Sequence, residues 1–335
     1  MSKTTKIITS AMVILLIVVG FWYAIFHYQN LAPTETMKVR IASLPNAQGL
    51  PIYLALEKDY FKDAGLDVAL LKFEAPNQII DALLQGQVDL THPGGATGIA
   101  GIADFKNPGK LKIYALSGGD MTVQNDAILV KNNSSITSIQ DLKGKKLGIM
   151  AGTIQWQTIA REILAQNNLE YDKDVKIVEI ALGLQAQALA SGDVDAVLCI
   201  EPVPTIVKAK GIGKELVPFA AAKYISNPFY GGAGIIRVDF AKKNPNTTKK
   251  VLDVIAKATD EINQNPDAAR QYLKGYTQLD DTTISRVPIL HFKMYSNFTQ
   301  DDINAVQKFY DIFTKYNVVN GQMDFKHLLY SPLVN

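Results

Sequence analysis

The side chains able to do covalent or metal chemistry are few in this chain, and they do not cluster. Among the 335 residues there are four histidines and one cysteine, and none lies at a spacing typical of metal ligands. His92 has no serine, cysteine or paired carboxylate beside it, so we interpret it as a loop residue that lines a cleft. Cys199 lies in the apolar run 196–200, which indicates a buried, unreactive thiol. We therefore expect no catalytic residues, no metal site and no cofactor.

Polar residues instead follow one predicted strand after another. The predicted strand over 38–43 leads into an Asn- and Gln-containing loop, and the strand over 111–116 ends in small polar residues. The strand over 88–90 is followed by a Pro-Gly-Gly loop, and a helix is predicted to begin near Thr97 with unpaired backbone N–H groups. Because open α/β sheets bind ligands at the carboxyl ends of their strands, this pattern predicts a polar binding crevice.

The stretch over residues 79–97 is the element around which these polar residues are arranged. Its apolar residues recur at helical spacing, which predicts a buried helix stripe, and Gly86 is typical of a left-handed helix end. Residues 82–89 are echoed by residues 188–195, and residues 38–41 by residues 146–149. The repetition predicts an α/β protein of two similar lobes with a cleft between them.

The remaining elements are expected to complete the two lobes. A helix is predicted over 52–61, a strand crossing into the second lobe over 127–130, and a return crossing over 235–238. From residue 240 onward the chain reads as mostly helical scaffold, with helices predicted over 280–287 and 300–316.

Composition and charge limit the classes of binding partner that we expect. The chain is 47% hydrophobic and 20% charged, as in a well-filled globular protein, and its formal net charge is only +2. There is no basic run or basic face with interleaved aromatic residues, so we expect no nucleic-acid partner.

The first 30 residues read as a membrane segment. Residues 7–26 carry no charge, and a segment of this length is about long enough to cross a bilayer. Lys3 and Lys6 precede the segment, whereas no Lys or Arg follows it until Lys38. The asymmetry predicts a cytoplasmic N-terminus with the folded part in the periplasm or extracytoplasmic space. We favour a retained anchor in the cell membrane over a cleaved secretory signal, because the apolar stretch is long and no clear cleavage site follows. Cleavage stays open.

Several motifs together resemble a known family. They are the opening over 44–68, the segment 141–146, the small-Gly-Asp-x-Asp-Ala segment with Glu201-Pro202 after it, and the segment 240–245. This combination resembles solute-binding proteins of the nitrate/sulfonate/taurine type, a group that includes the thiamine-pyrimidine-precursor binders. The resemblance covers about residues 38–330.

The resemblance implies a type II periplasmic-binding-protein fold, with two α/β lobes joined by two crossing strands and closed on a ligand by a hinge. The first lobe would comprise 38–125 and 230–335, and the second lobe 126–229. Such proteins capture a small polar solute and deliver it to the permease subunits of an ATP-driven (ABC) importer. Two alternatives on the same fold are a pyrimidine-precursor synthase-like enzyme and a ligand-sensing ectodomain.

The resemblance also implies the ligand-binding residues of both lobes. In the first lobe and at the return crossing they are Asn46, Gln48, Gly49, Asn77, Gln78, Gly95, Thr97, Ser117 and Tyr230. In the second lobe they are Thr153, Gln155, Trp156 and Glu201. Helix N-termini and neutral side-chain dipoles would hold the solute, and the indole of Trp156 would offer a stacking surface.

The identity of the solute stays open at this point. The predicted wall holds almost no Lys or Arg, so a sulfonate would depend on helix dipoles and amide donors. Glu201, if it faces the cleft, favours a ligand with an amine or a ring N–H, such as an aminopyrimidine. The histidine that the pyrimidine-precursor pattern places soon after Pro45-Asn46 is absent here, which weighs against that ligand.

Overall fold

The computed structural model describes residues 18–22, which are helical, and residues 37–332. The chain separates into two compact units, Met1–Thr36 and Met37–Asn335, and everything below concerns the second. Within the described ranges, no helix has the length and apolar character needed to cross a membrane. Apart from 18–22, the predicted anchor over 7–26 lies outside the described residues, so it stays a prediction.

The strands, in chain order, are β1 (Lys38–Ser43), β2 (Asp67–Lys72), β3 (Leu90–Thr91), β4 (Gly95–Ala96), β5 (Leu111–Gly119), β6 (Asp126–Lys131), β7 (Lys146–Met150), β8 (Lys176–Ile180), β9 (Ala196–Ile200), β10 (Gly213–Pro218), β11 (Phe229–Arg237) and β12 (His291–Met294). The α-helices are α1 (Leu50–Glu57), α2 (Tyr60–Asp63), α3 (Pro76–Leu84), α4 (Thr97–Lys106), α5 (Ile154–Gln166), α6 (Gln185–Ser191), α7 (Val203–Ala209), α8 (Ala220–Tyr224), α9 (Val238–Lys243), α10 (Pro245–Gln264), α11 (Pro266–Ala269) and α12 (Gln300–Lys315).

These strands form two mixed sheets. The first has the order β12-β5-β11-β3-β1-β2, with β4 added against β11, and the second has the order β10-β6-β9-β7-β8. In each sheet a central strand, β1 or β7, runs parallel to both of its neighbours. We call the elements around the first sheet the first lobe and those around the second sheet the second lobe. The residue limits given above for the two lobes stay a prediction.

Side chains alternate between two cores on the faces of the first sheet. Ile41 of β1 packs with α1 and α10 on one face, as does Tyr114 of β5. Ile113, the residue before Tyr114, belongs to the core on the other face, together with Phe309 of α12. This alternation follows from the two-residue period of a strand, and it keeps the strand ends in place under the cleft.

The two repeated segments have the same local structure. Each forms a helix, a left-handed glycine and a buried strand: α3 leads through Gly86 to β3, and α6 leads through Gly192 to β9. The prediction of a helix ending at Gly86 is therefore confirmed, since that glycine has a φ of 74°. Glycine adopts this conformation without the steric cost that a Cβ would bring.

Two expectations about secondary structure are wrong, and one strand was not expected. The helix predicted over 52–61 is interrupted after Glu57, where Asp59 takes a left-handed conformation. Only a single 3₁₀ turn, Ile284–Arg286, forms where a helix was predicted over 280–287. The helical C-terminal region also contains β12, which pairs antiparallel with β5 because the free edge of the first sheet offers it backbone partners.

Candidate functional site

A small interior cavity lies between the two lobes, at the carboxyl ends of β1, β7 and β9. Its volume is about 20 Å³, which is room for about one water molecule. Its lining comes from both sheets and comprises Leu44, Asn46, Gln48, Pro76, Gly94, Ala96, Asn125, Met150, Gln155, Trp156, Ile200 and Gly231. None of these side chains carries a charge. The lobes are therefore closed upon each other, and a solute needs them to move apart before it can enter.

Gln155, in the first turn of α5, connects the two lobes directly. Its Oε1 accepts a hydrogen bond from the backbone N–H of Gly98 at 2.8 Å, and its Nε2 donates to the carbonyl of Gly231 at 3.0 Å. The side chain is 3% exposed, so both bonds are shielded from water. One amide thus joins the start of α4 and strand β11 to the second lobe.

A second contact between α5 and the first lobe lies farther along the helix. The Nζ of Lys315 donates to both carboxylate oxygens of Glu162, at 2.9 and 2.7 Å, and the hydroxyl of Tyr316 donates to the same group. The Lys315 ammonium holds the pKa of Glu162 below its usual range against the opposing effect of partial burial. The closed arrangement therefore rests on contacts outside the cavity as well as within it.

Trp156 provides the apolar wall of the cavity. Its indole is 4% exposed and meets Phe229 edge-to-face, with ring centroids 6.5 Å apart. Phe229 in turn packs edge-to-face on Phe309 at 5.2 Å. The orientation of the indole is thus set by the core of the first lobe.

Two buried carboxyl groups lie beside the lining residues Ile200 and Asn125. Burial raises the pKa of Glu201 to about 7 and the pKa of Asp126 to about 6. Asp126 accepts hydrogen bonds from the backbone N–H of Ala221 and from the side-chain Nδ2 of Asn125. Glu201 accepts one from the backbone N–H of Thr205 through Oε2, while its Oε1 has no protein partner.

The structure brings four of the predicted ligand residues together at the cavity: Asn46, Gln48, Gln155 and Trp156. Thr97 and Thr153 begin the helices α4 and α5 beside it, and both hydroxyls are buried without a hydrogen-bond partner. Gly95 pairs with β11 next to the lining residue Ala96. Whether these residues contact a ligand stays a prediction.

The remaining predicted residues contact other parts of the protein outside the cavity lining. Gln78 accepts from the backbone N–H of Ala75 at the start of α3, and the Ser117 hydroxyl donates to the carbonyl of Pro93. The Tyr230 hydroxyl donates to Asp302 at 2.7 Å, and so its side chain extends into the first lobe. Asn77 is exposed opposite Gly152, and Gly49 packs against the ring of Tyr53.

His92 does not line the cavity. It is fully buried behind the lining loops, where the backbone nitrogens of Leu44 and Gly94 each lie 2.7 Å from one of its ring nitrogens. Burial lowers its pKa to about 3, so the ring is neutral at ordinary pH. Its role is to hold two loops of the first lobe in place.

Sequence reasoning missed the polar lining residue Asn125 and the apolar lining residues Leu44, Met150 and Ile200. Asn125 immediately precedes β6, whose residues 127–130 were predicted as the crossing into the second lobe. The two polar residues Asn125 and Asp126, at the start of this crossing strand, could have indicated that the strand begins at the cavity. The apolar residues end or follow buried strands, so their sequence context is that of ordinary core.

A larger surface hollow, of about 390 Å³, lies at the opposite edge of the first sheet, beside Leu84, Lys110 and Arg237. It is open to solvent and lies where β3 and β5 begin. Ligands of open α/β sheets bind at the carboxyl ends, so the interlobe cavity is the better candidate site. Over residues 18–22 and 37–332 no group of three potential metal ligands comes together.

The two lobes, each an α/β sheet, and the cavity between them define a periplasmic-binding-protein-like fold. The structure of the periplasmic aliphatic sulphonate binding protein SsuA from Escherichia coli is similar to it, with a TM-score of 0.69 and 18% identity, over 88% of this chain and 97% of that one. The family described as NMT1/THI5 like matches residues 46–269, and this chain belongs to that family.

Curated relatives fall into two groups by name. A putative aliphatic sulfonates-binding protein of Bacillus subtilis is 26% identical over 83% of this chain and 82% of its own length. A 4-amino-5-hydroxymethyl-2-methylpyrimidine phosphate synthase of Saccharomyces cerevisiae is 27% identical over 71% of this chain and 70% of its own length. Binding proteins and enzymes therefore both occur among its relatives.

Proposed function

We propose that this protein is an extracytoplasmic solute-binding protein, which captures a small polar organic solute between its lobes and delivers it to the permease subunits of an ABC importer. The observation that carries the proposal is the cavity, because both lobes line it at the carboxyl ends of their strands with uncharged amide, aromatic and backbone groups. Nothing in the lining is a nucleophile or an acid–base pair.

Hinge closure is supported by the two segments that connect the lobes. One joins β5 to β6, and the other joins α8 to β11. They contact each other through the backbone N–H of Met121, which donates to Asn227 at 3.2 Å. His291 of β12 lies 3.0 Å from Asp120 at the start of the first segment. Two adjacent strand connections are a suitable pivot for rigid-body opening of the lobes.

Binding is tested on the full chain, purified in a mild detergent, by thermal shift and by the change in tryptophan fluorescence on adding the compound. The panel contains taurine, ethanesulfonate, nitrate and 4-amino-5-hydroxymethyl-2-methylpyrimidine. At least one compound is expected to raise the melting temperature, because a ligand that binds only the folded state stabilises it by mass action. A panel without any stabilising compound contradicts the proposal.

The synthase-named relatives make an enzyme the second candidate. It would be supported by a change in the mass of a bound pyrimidine after incubation with the protein, whereas a binding protein returns its solute unaltered. The environments of Cys199 and His92 favour binding, since both are buried and neither lies in the cavity lining.

The proposed location includes a retained anchor formed by residues 7–26. Intact-mass measurement of the protein from membranes tests this, and the expected mass includes the first 30 residues. A mass that begins after them would replace the anchor with a cleaved signal. Co-purification with a kinase or chemoreceptor in place of a permease would favour a ligand-sensing ectodomain.

A further inference from the structure

The N-terminus of α4 is the strongest candidate anion site in the cavity. The helix is ten residues long, begins at Thr97 and has its first turn beside the lining residue Ala96. The free N–H groups and the dipole of a helix start attract anions such as sulfonate or phosphate. A solute with a negative group would therefore be expected to bind here.

That position is already filled by the protein itself. The N–H of Gly98 in this first turn donates to Oε1 of Gln155, which comes from the opposite lobe. The contact is close, because a Cβ added to Gly98 would lie only 3.0 Å from the same oxygen. The Gln155 amide is held at its other end by the Gly231 carbonyl, so it cannot turn without losing a buried hydrogen bond.

Two asparagines of the cavity lining leave their side-chain oxygens buried without a hydrogen-bond partner. Asn125 directs its Nδ2 to the carboxylate of Asp126, which can only accept when ionised, so its Oδ1 is an acceptor without a partner. The lining residue Asn46 directs its Nδ2 to Oε1 of Gln48 at 3.4 Å, so its Oδ1 is likewise a buried acceptor without a partner.

We propose that Gln155 occupies the anion position of the cavity and thereby makes the site selective for a solute with N–H donors and no net negative charge. The proposal rests on the solute-binding function proposed above and names the ligand class of that site. A donor-bearing solute satisfies the Oδ1 atoms of Asn46 and Asn125, which otherwise stay buried and unpaired. An anion meets no cationic side chain in the lining and would compete with Gln155 for the Gly98 N–H.

The test compares two matched pairs of small probes on the full chain in detergent, by isothermal titration calorimetry. Acetamidinium and 4-aminopyrimidine carry N–H donors, whereas methanesulfonate and ethanesulfonate carry only acceptors. We expect the donor probes to bind at least tenfold more tightly than the sulfonates. Tighter binding of the sulfonates overturns this inference but leaves the solute-binding function standing. If no probe and no compound of the earlier panel binds, the proposed function fails, and the inference fails with it.

Gln155→Ala frees the Gly98 N–H and should shift the sulfonate-to-donor affinity ratio by about tenfold or more toward sulfonate. Gln155→Met keeps the length of the side chain without an oxygen and should shift the ratio in the same direction if the alanine variant does not fold. Gln187→Ala is the matched control, since Gln187 is an exposed glutamine on helix α6 of the same lobe and does not line the cavity. A ratio unchanged in both Gln155 variants contradicts the assigned role.

Discussion

The two repeated units place an aspartate in the same way but surround it differently. In the first lobe, the carboxylate of Asp89 accepts from the backbone N–H of Arg40 at 2.9 Å, and the backbone N–H of Asp89 donates to the Arg40 carbonyl. In the second lobe, Asp195 makes the same two bonds with the backbone of Lys146, at 2.8 and 3.0 Å. The repeat therefore encodes a junction between a turn and the adjacent parallel strand.

The two aspartates differ in their ion-pair partners. Asp89 is buried and forms ion pairs with the guanidinium groups of Arg40 at 2.7 Å and Arg237 at 3.3 Å. Arg237 comes from the end of β11, far along the chain. Asp195 is half-buried, and no ion pair to it occurs in residues 18–22 or 37–332. Both junctions thus join residues 49 positions apart, and in the first lobe the return strand β11 adds a second ion pair through Arg237.

The largest expected effect comes from removing these aspartates one at a time. Asp89→Ala removes the ion-pair partner of Arg40 and one of the two partners of Arg237, which keeps Asp239, and should lower the free energy of unfolding by about 3 kcal/mol. Asp195→Ala loses a backbone hydrogen bond and should cost about 1 kcal/mol. Chemical denaturation measures both, and Asp89→Asn, which keeps an acceptor for the Arg40 N–H, should fall between them. Equal losses of unfolding free energy in Asp89→Ala and Asp195→Ala would contradict the expected difference between the two lobes.

A smaller difference is expected at the paired left-handed glycines. Gly86→Ala introduces strain of about 1–2 kcal/mol and also brings the new methyl group into the guanidinium of Arg237. Gly192→Ala carries the same backbone strain but meets only the mobile end of Lys131. The melting temperature of Gly86→Ala should therefore fall further than that of Gly192→Ala. A larger fall for Gly192→Ala would show that Arg237 adjusts without cost.

A third contrast is a pH dependence of opposite sign at the residues that follow β3 and β9. His92, with its pKa lowered to about 3, stays neutral in the fold but is protonated in the unfolded chain below about pH 6.5, so acidification below that pH removes stability. Glu201, with its pKa raised to about 7, stabilises most below about pH 4.5 and loses that contribution as the pH rises through 7.

Each slope should approach about 1.4 kcal/mol per pH unit within its own window. Denaturation of His92→Gln between pH 4 and 6.5, and of Glu201→Gln between pH 4.5 and 7, measures the loss of each slope relative to the unsubstituted chain. An unchanged slope in either variant would show that the group titrates alike in the folded and unfolded states.

Secondary structure was predictable wherever the pattern is local. The apolar stripe of α3, the left-handed Gly86 and the strand β1 follow from residue periodicity and turn chemistry within a few positions. The left-handed break at Asp59 and the addition of β12 to the sheet edge were not predictable in this way. Both depend on distant packing partners, which a local pattern does not contain.

The polar residues at the ends of predicted strands indicated where the candidate site lies. The orientation of each side chain was decided by the tertiary structure. Asn46 and Trp156 were predicted from their positions and do line the cavity. Tyr230 was predicted by the same argument, yet its hydroxyl binds Asp302, 72 residues farther along the chain. Alternation along a strand sends neighbouring side chains to opposite faces, so one residue of register separates the cavity from the core.

The sequence by itself determined the two α/β repeats and the polar strand ends, because each of these depends on residue types at short spacing. The occupation of the α4 N-terminus was decided only by the tertiary structure. Gln155 meets Gly98 and Gly231 across 57 and 76 residues of chain, and these contacts exist only when the two lobes face each other. Contacts at such separation follow from the packing of whole sheets, which no local pattern specifies.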